Sequence, residues 1–471
     1  MRKTKIVCTI GPASSSPEAL AALIKAGMDV ARLNFSHGSY EEHAARITEI
    51  RRISTESGRL VGVLQDLSGP KIRLGQLVQD PVCLEPGQKF TFTSRPVPGD
   101  SHEANLPHPE LISQVKKGAL IFADDAKLEF KVISVTDTDI VTKVIIGGPL
   151  GSRKGITVPG AALPIAALTE KDKADLKFGL KAGVDWVAMS FVRSHLDIEP
   201  IHKIMEDAGI SAPVIAKIER PEAVRDIDAI IAAFDGIMIA RGDLGIELPI
   251  DKVPLIQKSI IKKCNKAGKP VITATQMLDS MMRNPQPTRA EVTDVANAIL
   301  DGSDATMLSG ETAVGDFPVR TVQMMARIAV TTERSLPYEA ISHSKYVSAA
   351  ATVTDAIGEA AAELTYGLGL SAIITSTATG GTARRISKYR PRARIIAAAS
   401  SASVARQLTL SWGVIPLSVP ICQTTDETIE QAITAAKKAK LVKSGEMVVV
   451  TGGFPVGVPG RTNLIKVERV D

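Results

Sequence analysis

Eight short apolar runs, each stopping abruptly at polar or glycine residues, punctuate the chain and constrain its fold more than any other feature. The first three lie at 6–9, 29–33 and 60–64, the third ending at Asp66, with helical periodicity at 17–25 and 40–56 between them. Five more lie at 186–189, 214–217, 237–240, 271–274 and 305–308, separated by helical stretches such as 171–181 and 255–267. Runs this short and this apolar read as parallel strands covered on both faces. Eight βα units exceed the usual open doubly wound sheet and match a closed (β/α)₈ barrel.

The alternation breaks once. From 69 to 164 the pattern is β only, with alternation at 89–93 and a pair of strands, 127–135 and 140–146, around an Asp137-Thr138-Asp139 turn. A small β domain inserted after strand three leaves the barrel on its C-terminal face, where barrel active sites are built, and can act as a lid. Past a polar linker at 335–346, a second α/β unit is expected. Its helices are at 354–366, from 382, and at 426–443, and its strands at 372–375, 394–398, 414–419, 447–451 and 464–468. The expected domains are a barrel split into 1–68 (strands one to three) and 165–335 (strands four to eight), the lid inserted at 69–164, and a C-terminal regulatory domain at 346–471.

Composition excludes whole classes. With 44 % apolar and 23 % charged residues, a disordered or low-complexity chain is ruled out. The net charge of +5, from 56 basic and 51 acidic side chains, is not gathered into any arm, so no nucleic-acid partner is expected. Cys8, Cys83, Cys264 and Cys422 lie far apart without a CxxC, which argues against a disulfide framework or zinc knuckle. The first apolar run is too short for a signal sequence, and no stretch approaches a membrane span. A cytoplasmic protein without membrane contact is expected.

Common nucleotide and hydrolase motifs are missing. The one GxGxxA-like string, at 367–372, follows a helix and precedes a strand, the reverse of a dinucleotide fingerprint. His37 is the single histidine in a polar strand-end cluster; the other six read as surface or cap residues. The informative polar residues sit at strand tips. Lys217 and Glu219 punctuate strand five at spacing two and share a face. Asp243 follows strand six beside Arg241, so neighbouring strand ends offer two hard carboxylate ligands that suit Mg²⁺, or Mn²⁺ in its place. Arg32, Asn34 and Ser36 recur at spacing two as strand two runs out, and Asp66 ends strand three. Thr275 and Gln276 end strand seven, and Ser309 and Glu311 end strand eight. A basic cluster of Arg32, Arg73, Lys217 and Arg241 beside a divalent-ion site describes phosphoryl transfer or enolate chemistry.

The strings TKIVCTIGPAS, GMDVARLNFSHG, DLSGPKIR, VIAKIERPEAV, ARGDLGIE, TATQMLDSM and the block 301–318 resemble the pyruvate kinase family over essentially the full chain. The resemblance implies phosphoryl transfer from phosphoenolpyruvate to ADP, giving pyruvate and ATP in the last step of glycolysis. It implies that Lys217 holds the phosphoryl group and stabilises the enolate oxygen, and that Glu219 and Asp243 hold Mg²⁺. It gives Arg32 and Arg73 to phosphates, with Asn34 and His37 beside the nucleotide and Lys154 reaching it from the lid. Thr275 borders the methylene carbon, Ser309 marks a protonating water relay, and backbone amides of Ala240, Arg241, Gly242 and Asp243 meet the substrate carboxylate.

The same resemblance identifies Asn34, Ser36, Asp66 and the Leu67 carbonyl with a K⁺ site. The K⁺-requiring members have a glutamate where this chain has Lys71, so the ammonium is expected to replace K⁺ and K⁺ is not expected as a cofactor. In the C-terminal domain a loop of Thr375, Ser376, Thr377, Thr379, Gly380 and Thr382, with Arg384 close by, offers hydroxyls and amides to an anion. It resembles the family's effector site, implying activation by a sugar phosphate or nucleoside monophosphate through a homotetramer. Two rivals stand beside this reading. One is a Schiff-base role for Lys217, which Glu219 opposes by favouring the charged amine; the other is a phosphate-binding scaffold without activity.

Overall fold

The computed structural model describes residues 1–161, 166–342, 352–453, 455 and 462–471. The boundaries expected at 164 and 346 lie outside the described residues. The eight apolar runs form β1 (Lys5–Thr9), β2 (Val30–Asn34), β3 (Gly62–Asp66), β4 (Trp186–Met189), β5 (Val214–Ile218), β6 (Gly236–Ala240), β7 (Val271–Ala274) and β8 (Ala305–Leu308). All pair in parallel and close in sequence order, with β1 hydrogen-bonded to both β2 and β8.

Strand parity divides two environments. Ile6, Cys8, Ala31, Val63 and Ala216 pack outward into the layer shared with the helices. Val7, Val30, Leu64, Ala188 and Ile215 belong to a separate interior cluster with Trp186, Met238 and Ile272. Side chains two residues further along each strand keep the inward direction. Thr9, Arg32, Asp66, Ser190 and Lys217 are therefore stacked directly above an apolar floor, on the C-terminal side of the barrel. Leu410, from the C-terminal domain, joins that interior cluster beside Trp186.

Local signals set the connecting helices. Ser16 caps Pro17–Ala26 through the Ala19 amide, and Thr169 forms a reciprocal capping box with Asp172 on Glu170–Ala182. Gly179 in that second helix allows Gln65 of β3 to reach the Asp175 carbonyl, since a Cβ at 179 would lie 2.0 Å from Gln65 Oε1. The inserted domain is a six-stranded sheet with a separate two-stranded pair, packed around Phe90, Phe92 and Phe130. One short helix, Pro109–Ile112, interrupts its otherwise β pattern.

The C-terminal domain is a five-stranded sheet in the order Val414–Ser418, Arg394–Ala399, Ala372–Thr377, Met447–Gly452, Leu464–Arg469, the last strand antiparallel. Its helix expected at 426–443 instead spans Thr425–Lys438, because Lys440 turns into the left-handed region at φ 56°. The string at 367–372 joins a helix to a strand, as its order required. Among the described residues no helix is long and apolar enough to cross a membrane.

Candidate active site

Lys217 sits at the centre of the polar layer. Its Nζ donates to Ser190 Oγ at 2.6 Å and pairs with Glu219 Oε1 at 3.0 Å and Asp66 Oδ1 at 3.2 Å. Burial alone would lower this amine, but Asp66 and Glu219 outweigh it and raise Lys217 above the ordinary lysine range. The side chain is thus held as an ammonium. A Schiff-base nucleophile needs the free amine, so the structure weighs against that rival.

Arg32 enters from β2. Its Nε donates to Asp66 Oδ2 at 2.6 Å and its Nη1 to Thr9 Oγ1 at 2.9 Å, which fixes the guanidinium plane beside Lys217. Burial pushes the Asp66 carboxyl up, yet Arg32 and then Lys217 hold it below the usual carboxylate range. Asp66, only 1 % exposed, joins the two cations at a fixed separation. Glu219 is equally buried and accepts from the Phe191 amide at 2.7 Å through its second oxygen. Burial raises Glu219, against Lys217, and the Asp243 carboxylate adds to the rise. Two hard oxygen donors that repel one another at neighbouring strand ends fit a divalent cation, which would relieve that repulsion.

The tip of β7 carries backbone strain. Thr275 and Gln276 have φ of 68° and 53°, in the left-handed region that a β-branched residue seldom adopts. Thr275 Oγ1 donates to the Ala274 carbonyl and accepts from the Gly242 amide at 2.8 Å. That amide is therefore already bonded, one fewer donor than the sequence suggested for a carboxylate. At β8, Ser309 donates its amide to the buried Glu311 carboxylate, which also takes the Leu278 amide. Glu311 thus braces the β7 and β8 tips together.

Arg241 and His43 depart from expectation, and the other site residues take definite places. Arg241 does not join the basic cluster; its guanidinium binds Asp294 at 2.7 Å and the carbonyls of Ala274 and Thr275. Arg73 lies on the lid, exposed, with Nη1 on the Arg153 carbonyl. Lys154 pairs with Asp124 of the lid at 2.9 Å. Asn34 accepts from the Ser36 amide, and the Leu67 carbonyl accepts from Ser190 Oγ. His37 is exposed, whereas His43, expected at the surface, is buried and stacks on Phe35 at 4.0 Å between centroids. Its aromatic neighbour was invisible at a sequence distance of two turns.

Lys71 reaches Asp125 Oδ1 at 3.2 Å and Asp243 Oδ1 at 3.8 Å, between lid and barrel. Gly155 makes room for it, because a Cβ there would fall 2.6 Å from Lys71 Cε. Three contacts were not foreseen: Thr9, Ser190 and Phe191. They stand at the tips of β1 and β4, the two strands whose ends the polar-tip pattern passed over. The same rule, applied to the end of the first run and the residue after the fourth, would have found Thr9 and Ser190.

In the C-terminal domain, Ser376, Thr377, Thr379, Thr382 and Arg385 line a cleft of about 170 Å³. Arg384 does not. It is half-buried, with Nη2 on the Thr379 carbonyl, so Arg385 is the arginine at the cleft. Thr375 is buried within its strand, and Gly380, at φ 81°, donates its amide to Thr377 Oγ1.

Known proteins resemble the chain over its whole length. The family described as "Pyruvate kinase, barrel domain" matches residues 1–322, and "Pyruvate kinase, alpha/beta domain" matches 355–468. A pyruvate kinase of Geobacillus stearothermophilus is 49 % identical over 472 residues, covering 100 % of this chain and 80 % of the relative. One of Clostridium acetobutylicum is 45 % identical, with 100 % of both chains covered. A crystal structure of a pyruvate kinase from Cryptosporidium parvum superposes with a TM-score of 0.93 at 39 % identity, covering 100 % of this chain and 96 % of the other.

Proposed function

The chain belongs to the pyruvate kinase family, and from that premise we propose how its own residues carry out the family's reaction. The reaction is phosphoryl transfer from phosphoenolpyruvate to ADP, giving pyruvate and ATP. The observation that carries the assignment of roles is the Arg32–Asp66–Lys217–Glu219 array, two cations and two carboxylates locked above the apolar floor.

Lys217 and Arg32 would hold the phosphoryl oxygens, Asp66 keeping both cations aimed at one point. As the phosphoryl group leaves, charge develops on the enolate oxygen, and the protonated Lys217 stabilises it without reorganising. An enolate is too basic to persist in water, so its later protonation at carbon drives transfer to ADP. Thr275 borders the methylene carbon, and the strained β7 tip holds it there. Glu219 and Asp243 would hold the divalent cation on which the family depends, Mg²⁺ by donor hardness with Mn²⁺ as substitute, and that ion supplies Lewis-acid charge at the substrate oxygens. Arg73 and Lys154, both from the lid, would follow the nucleotide phosphates as the lid closes and excludes water.

Lys71 extends the proposal to the monovalent cation. Its ammonium lies 3.8 Å from Asp243, which supports a tethered charge at the active site in place of a recruited K⁺. The C-terminal cleft, with its hydroxyls and Arg385, supports a phosphorylated effector acting through a homotetramer. Titrating sugar phosphates and nucleoside monophosphates at sub-saturating phosphoenolpyruvate tests this. Half-saturation should fall with one of them and not in Arg385→Ala.

The reaction itself is tested by a lactate-dehydrogenase-coupled assay with phosphoenolpyruvate and ADP. Activity should vanish with a chelator and return with Mg²⁺. Glu219→Ala or Asp243→Ala retaining more than about a tenth of the wild-type kcat at saturating Mg²⁺ would overturn the ligand assignment.

A further inference from the structure

A cleft of about 430 Å³ lies at the junction of barrel and C-terminal domain, apart from both the strand tips and the Thr377 cleft. Lys258, Lys262 and Lys266 come to it from the barrel helix Val253–Ala267, and Lys388 and Arg390 from the C-terminal domain. Among the lining residues Asp301 is the single carboxylate, and it is paired with Lys258. Lys388 faces Asp355 at 3.5 Å, and Lys266 is exposed. The wall therefore carries a surplus of positive charge.

Arg390 distinguishes this cleft from a solvated basic surface. Its side chain is 9 % exposed, and only Nη2 is satisfied, by Asn265 Oδ1 and the Gly302 carbonyl at 2.8 Å each, with Asp304 Oδ2 at 3.2 Å. Nε and Nη1 are buried and have no protein acceptor among the described residues. Trp412 covers the face of the guanidinium at 4.8 Å, but stacking leaves the in-plane N–H groups unsatisfied. Buried donors without acceptors are costly, and an arginine fork matches an anion with two oxygens.

We propose that this cleft binds a small phosphorylated metabolite, its phosphoryl group drawn to the unsatisfied Arg390 guanidinium and its charge met by Lys266. The volume suits a ligand of metabolite size. Because Arg390 belongs to the C-terminal domain while Asn265 and Gly302 belong to the barrel, an occupied cleft would tie the two domains together.

The chain has two tryptophans, Trp186 and Trp412, so a Trp186→Phe variant leaves Trp412 as the sole reporter beside Arg390. Its emission is titrated with inorganic phosphate, a hexose phosphate and a nucleoside monophosphate, at ionic strength held constant with chloride. A saturable change is expected, weakened fivefold or more by Lys266→Glu and unaltered by Arg385→Ala in the other cleft. The compound saturating at the lowest concentration identifies the source of the phosphoryl group. No saturable change with any compound, a change that Lys266→Glu leaves intact, or one that Arg385→Ala removes, would overturn the proposal. Should Trp186→Phe fold poorly, the rise in Tm that phosphate gives the otherwise unaltered chain, compared with the Lys266→Glu and Arg385→Ala chains, reads the same outcomes.

Discussion

The proposed independence of K⁺ rests on one side chain, Lys71. Its ammonium bridges Asp125 of the lid and approaches Asp243 of the barrel, and Gly155 leaves the space its stem crosses. A tethered cation needs no recruitment from solution, so its charge is in place before substrate arrives. The expected outcome is full activity in K⁺- and NH₄⁺-free buffer. Lys71→Glu should lose tenfold or more in initial rate and regain some of it as K⁺ is added. A wild-type rate that climbs tenfold with K⁺ at fixed ionic strength would return K⁺ to the cofactors. Sequence alone could place this lysine near the site from the Gly69-Pro70-Lys71 string. It could not show that the partners are Asp125 and Asp243, because those contacts join residues more than fifty positions apart.

At the scale of elements, the helix Arg289–Leu300 behind β7 depends on one carboxylate. Glu291 accepts from the amide and hydroxyl of Thr288, closing a capping box, and from the amide and hydroxyl of Ser280 in the turn that follows the strained β7 tip. Burial pushes Glu291 up, but those four donors, Ser280 foremost, hold it below the usual carboxylate range. The sign follows from linkage. Between the folded value and about 4.3, the ordinary glutamate value, the unfolded chain binds the extra proton, so stability rises with pH through that window and is lost as pH falls through the folded value. Glu291→Ala should destabilise by about 2 kcal/mol at pH 7 and by less near pH 3. A urea midpoint that shifts equally at both pH values would refute the linkage. The eight barrel strands and most helix starts were legible in the sequence, since apolar runs and cap residues act locally. The short end of Thr425–Lys438 was not, because nothing in the composition of 439–443 opposes a helix.

For the whole molecule, the polar tips could be read strand by strand, whereas the seam between barrel and C-terminal domain could not, because its partners lie hundreds of residues apart. Arg390 and Arg384 illustrate the difference. Both reach the junction with the barrel, yet Arg390 bonds across it to Asn265 and Gly302 while Arg384 donates to its own loop carbonyl. The seam is anchored by Asp185, 1 % exposed and just ahead of β4. Its carboxylate takes Arg406 Nε of the C-terminal domain at 2.8 Å, Arg51 Nη2 at 2.7 Å and the Val63 amide at 2.8 Å. Nearby, Trp186 Nε1 donates to the Gln407 carbonyl, and Leu410 enters the barrel interior. Removing Asp185 leaves two half-buried guanidinium groups facing each other without their shared counter-charge. Breaking a buried ionic cluster from one side typically costs about 3–5 kcal/mol. Asp185→Ala should therefore lower the thermal midpoint, with the emission of Trp186 and Trp412, both at the seam, changing before the secondary structure of the barrel is lost. Asp185→Asn, which keeps an acceptor for the Val63 amide, should fall between. A loss under 1 kcal/mol, or seam fluorescence that changes together with barrel circular dichroism in Asp185→Ala, would mean that apolar packing around Leu410, rather than the Asp185 cluster, holds the two domains in register.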